Sequence, residues 1–170
     1  MSYIKYLLFT LKKFQPILNE KLLKFYATDM LTSLALIHDN NIIHCDIKPE
    51  NFLLFTNVMN KDDYNNSELE IDSNRSFSSY EDGSEETTIL KLADFGLSHL
   101  IADNNKTAFA KYSCGTLNYK APELTNNSYI DTSSDMWSFG IMLYQMATAY
   151  LPSSIKKYKY GKFILLIIIL

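Results

Sequence analysis

The chain has 170 residues, 47% of them hydrophobic and 21% charged, with a formal net charge of −3. That is enough chain for one sizeable core and too little for two large domains, and the charge is too small to imply a nucleic-acid partner. Its two cysteines, Cys45 and Cys114, lie far apart without CxxC spacing, which argues against a disulfide framework or a zinc site and fits a reducing compartment.

The charge is unevenly spread. Residues 61–86 hold nine acids and two bases, a net of −7, which leaves about +4 for the rest. A mildly basic body with an acidic insert suits a phosphorylated ligand, although solvated surface charge explains it equally.

In chain order, MSYIKYLLFTLKKF (1–14) has an apolar stretch too short and too interrupted by lysine for a secretory signal. A weak helical pattern covers 5–14. Residues 20–39 place Leu23, Tyr26, Met30, Leu34 and Ile37 at steps of three and four. That spacing predicts an amphipathic helix with one buried face, ended by Asn40 and Asn41. The run HCDIKPEN (44–51) follows, and Pro49 would break a helix interior. It is predicted to be a loop that presents an acid, a cation and an amide together.

FLLF (52–55) and ILKLAD (89–94) predict short strands. The segment 57–88 between them is rich in Asn, Ser, Asp and Glu and poor in periodic apolar positions. Such a segment buries too little surface to offset its ordering entropy, so it is expected to be a disordered insertion in a hairpin. Residues 132–149 predict a second long helix, with Thr132 and Asp135 at capping-box spacing. Its run MWSFGIMLYQMATAY is apolar nearly all round, which marks a helix buried in mid-domain. The terminal FILLIIIL is far shorter than the roughly 20 residues that span a bilayer, so no transmembrane span is expected.

Pairing the two short strands would bring Asn51 and Asp94 together. An amide oxygen and a carboxylate make a hard, incomplete oxygen site suited to Mg²⁺, which completes its octahedron with water and phosphate. Asp46, on the same loop as Asn51, is spaced to hold a substrate hydroxyl, and Lys48 to neutralise a phosphate between them.

HCDIKPEN, DFG (94–96), CGTLNYKAPE (114–123) and DMWSFG (135–140) together resemble the eukaryotic-type protein kinases, and occur in that family's order. The resemblance implies an α+β, mainly α fold: the large (C-terminal) lobe of a kinase, truncated at both ends, with the small lobe absent. A partial kinase domain would span 3–155, and 156–170 would be a Lys/Ile-rich tail of doubtful structure.

By the same resemblance Asp46 matches the catalytic acid that accepts or orients the hydroxyl proton. Asn51 and Asp94 match the metal-binding pair, Lys48 the lysine that contacts the transferred phosphoryl group, and Thr116 the threonine typical of the Ser/Thr class. The implied cofactors are ATP and Mg²⁺, the partner a protein with a Ser or Thr acceptor, and the location intracellular and cytoplasmic. His44 is expected to pack beneath the loop, Phe95 to pack, and His38 and His99 to be surface or helix-end residues. Asp135 is expected to serve both as a helix N-terminal acid and, by resemblance, as a brace for the loop backbone.

The departures carry expectations of their own. Cys45 stands where the family often has an Arg that pairs with a phosphorylated residue, so loop phosphorylation is expected not to be the main switch, or to use Lys111 or Lys120. Before residue 20 there is no Gly-rich loop, strand lysine or partnering Glu, so the small lobe needed to bind ATP is expected to be missing. Glu123 usually pairs with an Arg, yet the only Arg is Arg75 in the insertion. With Arg scarce and Lys, Asn and Ile abundant, the coding sequence looks AT-rich. The chain alone is therefore expected to be inactive, the alternative being a non-catalytic kinase-like binding module or a gene-model fragment.

Overall fold

The computed structural model describes residues 2–6, 20–59, 76–79, 85–101, 108–109, 114–125 and 129–152. Strand β1 (Ser2–Tyr6) opens the described chain, so the helix expected over 5–14 does not include Lys5 and Tyr6, and the rest of it lies outside the described residues. Helix α1 (Glu20–Asp39) contains neither proline nor glycine. The five residues of its predicted stripe are all buried, Met30 completely. The helix stops where the two asparagines compete for its last carbonyls. The N–H of Asn40 reaches Ile37 O at 3.1 Å, that of Asn41 reaches His38 O at 2.9 Å, and Asn40 Nδ2 donates to Leu36 O at 2.7 Å. Asn41 then takes φ +58°, a left-handed conformation that asparagine tolerates better than most residues.

Strand β2 (Ile42–Ile43) leads into the loop, a single 3-10 turn (Pro49–Asn51) ends it, and β3 (Phe52–Met59) runs on directly. Strands β4 (Ser76–Ser79) and β5 (Glu85–Leu92) complete an antiparallel sheet of order β1-β3-β5-β4. The hairpin register runs from Phe52 opposite Leu92 to Met59 opposite Glu85. The predicted hairpin is present and longer than its apolar runs. Within the segment expected to be disordered, 57–59, 76–79 and 85–88 are strand, while 60–75 and 80–84 lie outside the described residues. Ladder bonding extends past the apolar stretch because each added pair satisfies backbone groups, and Thr87-Thr88 favours the extended backbone.

Strand β6 (His99–Leu100) pairs antiparallel with β2, and β7 (Ala108–Phe109) with β8 (Tyr129–Ile130). A short helix α2 (Pro122–Thr125) precedes α3 (Thr132–Thr148). The cap of α3 lies one residue earlier than predicted: Asp131 is the N-cap and accepts the Ser133 N–H at 2.7 Å. Asp135 is no capping-box partner; it is turned inward and 1% exposed. Burial does run almost all round the helix, taking in Ser134, Ser138 and Gly140 beside Phe139, Met142 and Met146, though Met136 is exposed.

Two buried apolar clusters result. The larger joins α1, α3 and the hairpin through Met30, Leu34, Phe52, Leu90, Phe139 and Met142. The smaller gathers Ile43, Cys45, Ile101, Cys114, Ala121, Leu124 and Ile130, and Trp137 packs against both. Among the described residues helix and sheet are mixed, and no helix is long and apolar enough to cross a membrane.

Candidate active site

The loop 44–51 is held from below. Asp135 Oδ2 accepts the His44 N–H at 2.8 Å, its Oδ1 accepts the Cys45 N–H at 2.9 Å, and His38 Nε2 lies 2.9 Å from Oδ2. Two consecutive amides on one buried carboxylate fix the direction of the chain as it leaves β2, and Cys45 takes φ +68° to do so. Asp135 thus takes both roles expected of it, the acid in the first turn of α3 and the brace of the loop backbone. His38, expected to be a surface or helix-end residue, lies in the last turn of α1 with its ring mostly buried against that carboxylate. Nothing local in the sequence marks this pairing, which joins residues 97 positions apart.

His44 is fully buried. Its Nδ1 receives the Asp46 N–H at 3.3 Å and its Nε2 lies 3.1 Å from Ala93 O, so a proton on Nε2 satisfies both nitrogens. Phe95 packs edge-on against this ring with centroids 5.0 Å apart, while 46% of Phe95 stays exposed. His44 and Phe95 therefore take the packing roles their positions suggested.

Above this base, Asp46 is the centre of a polar group. Its Oδ1 accepts the Thr116 N–H at 2.8 Å and the Thr116 hydroxyl at 2.7 Å. Its Oδ2 accepts Lys48 Nζ at 2.6 Å, and Lys48 also donates to Thr116 Oγ1 at 3.0 Å. Asn51 Nδ2 donates to the Asp46 carbonyl at 2.8 Å. Burial acts to raise the Asp46 carboxyl, but the hydrogen bonds from Lys48 and Thr116 and the lysine's charge together outweigh it. The carboxyl is held below the usual carboxylate range.

Asn51 and Asp94 leave the same end of the hairpin. Phe52 pairs with Leu92, and one further backbone bond, Ala93 N–H to Asn51 O at 2.8 Å, carries the ladder to the residue before Asp94. Asn51 is buried with Nδ2 committed to Asp46, so its amide oxygen is the atom it has to offer a cation. Asp94 is exposed at φ +65°, and its Oδ1 accepts the Gly96 N–H at 3.3 Å. This oxygen pair fits the donor preference of Mg²⁺. Among the described residues no cluster of three or more His, Cys, Asp or Glu side chains competes for a metal.

The segment bearing Thr116 is anchored to α3. The Tyr119 hydroxyl donates to Gln145 Oε1 at 2.7 Å and the Ser138 hydroxyl to Tyr119 O at 2.8 Å. Burial, with the charge of Glu50, pushes the Tyr119 phenol up to about 12, so it stays a donor. Glu123 accepts the Ser134 hydroxyl at 2.9 Å. Spacing alone found none of these anchors. Lys111 lies outside the described residues.

A family model described as "Protein kinase domain" matches residues 1–165. Over 145 residues the chain is 32% identical to "Ribosomal protein S6 kinase alpha-2" of Homo sapiens, and by the same margin to "Ribosomal protein S6 kinase alpha-3" of Mus musculus and "Ribosomal protein S6 kinase 2 alpha" of Xenopus laevis. Each match covers 85% of this chain and 15% of the relative's own length.

Proposed function

The chain belongs to the protein kinase family, and we propose that it carries the phosphotransfer centre of a serine/threonine kinase. The observation that supports this most is the Asp46 carboxylate, oriented by Thr116 from across 70 residues and by Lys48 from its own loop. A helix cap or turn residue has no need of donors from a distant segment.

In the proposed reaction the acceptor hydroxyl of a protein Ser or Thr binds Asp46 Oδ2, displacing Lys48, which turns to the γ-phosphoryl group of ATP. The hydroxyl oxygen bonds to that phosphorus, the bond to the departing ADP oxygen breaks, and the hydroxyl proton passes to Asp46. Because its carboxyl is held low, Asp46 is a weak base. It orients the nucleophile first and takes the proton late, as suits a loose, electrostatically stabilised transfer. Thr116 keeps Oδ1 occupied, leaving Oδ2 as the face offered to substrate. Asn51 and Asp94 are the residues that would hold Mg²⁺, which when bound offsets phosphate charge.

The test isolates the native polypeptide from its cells with an antibody against residues 61–86, with and without an edited Asp46→Asn codon. Transfer from ATP to Ser/Thr peptides but not Tyr peptides is expected, falling about 10²–10⁴-fold once the codon is edited. An undiminished rate after the edit, or transfer to tyrosine alone, would overturn the proposal.

A further inference from the structure

Both cysteines of the chain, 69 positions apart in sequence, meet in the smaller apolar cluster, 4% and 5% exposed. Their backbones run close together: a Cβ placed on Gly115 would stand 2.6 Å from Cys45 O. Cys114, adjacent to Gly115, therefore lies beside Cys45 within this cluster. The left-handed Cys45 backbone is tied through its N–H to Asp135, and its thiol lies 3.8 Å from Ile43 O. On its other side lies His99, with Nδ1 3.5 Å from Sγ.

We propose that Cys45 and Cys114 are a redox pair, two thiols that a hydroperoxide converts into one disulfide joining the loop 44–51 to the segment that carries Thr116. A buried cysteine alone is most simply a small apolar filler. Here the only two in the chain converge, and their neighbours in sequence are Asp46 and, two positions on, Thr116. The bond would clamp the Asp46–Thr116 contact from beneath.

The chemistry balances. One thiol's sulfur attacks a peroxide oxygen, and its proton passes to the other, departing oxygen. The O–O bond breaks, leaving a sulfenic acid and, from hydrogen peroxide, water. The second thiol attacks that sulfur, the S–S bond forms, and a second water departs. Burial and the adjacent Cys114 push the Cys45 thiol up, so Cys45 rests protonated and responds to sustained rather than passing oxidant.

The test exposes the reduced, folded 170-residue chain to hydrogen peroxide, then denatures it and adds N-ethylmaleimide without reductant. The expected product is a monomer lighter by two hydrogens that takes up no maleimide. Digestion without reductant is expected to release one cross-linked peptide pair containing Cys45 and Cys114, and dithiothreitol to restore two alkylation sites. Cys45→Ser and Cys114→Ser are each expected to leave the other cysteine without an intramolecular partner. Two maleimides on the peroxide-treated monomer, separate sulfinic acids, or disulfides only between chains would overturn the proposal. The readout is mass, so it stands or falls apart from the phosphotransfer reading.

Discussion

Asp46 shows how a single side chain can be buried and yet remain ionised. The loss of hydration acts to raise its carboxyl, and Lys48 at 2.6 Å with the two Thr116 donors at 2.7 and 2.8 Å more than restores what water supplied. The folded carboxyl therefore lies below its unfolded value. Its contribution to stability is complete above about pH 3.9 and is lost as the pH falls through the lower folded value. Thermal unfolding followed from neutral pH down through that window is expected to show a steeper drop for the unaltered chain than for Asp46→Asn. Identical slopes would show that the carboxyl is not held low.

Among the elements, the turn at Gly115 has the least room. Its φ of +88° is one that L side chains rarely adopt, and an added Cβ would meet the Cys45 carbonyl oxygen at 2.6 Å. That oxygen is backbone, fixed by the braced loop, so it cannot yield as a flexible side chain would. Gly115→Ala must then push the segment 114–116 outward and draw Thr116 off Asp46. A loss of more than about 1 kcal/mol in denaturant unfolding is expected from the conformation alone, with the clash added. A change within a few tenths of a kcal/mol would show that the two segments do not sit this close.

For the whole molecule, Asp135 and Trp137 stand between the two apolar clusters. Trp137 touches both, and Asp135 binds α3 to the chain leaving β2. Neither cluster alone would hold the loop, since Cys45 belongs to the smaller one while Ile47 and the hairpin below belong to the larger. Asp135→Ala strips the acceptors from two buried amides and the partner from His38. With each unsatisfied buried donor costing roughly 1–3 kcal/mol, a loss of several kcal/mol in chemical denaturation is expected. Asp135→Asn keeps one acceptor oxygen and is expected to lose less. Equal and small losses for both would mean that the loop is held by packing alone.

The sequence by itself determined what depends on neighbours along the chain. The stripe Leu23, Tyr26, Met30, Leu34 and Ile37 set the buried face of α1, Asn40 and Asn41 its end, and Pro49 the loop, because helix period, capping and ring closure are local properties. The hairpin was legible too, and with it the approach of Asn51 to the residues before Asp94. Strand over 85–88 was not, since polar residues there give no alternation to read. Only the tertiary structure decided that His38 meets Asp135 and that Cys45 meets Cys114. Those pairings follow from buried polar groups and apolar surface finding partners across the fold. That requirement is set by which surfaces pack together, and spacing along the chain does not encode it.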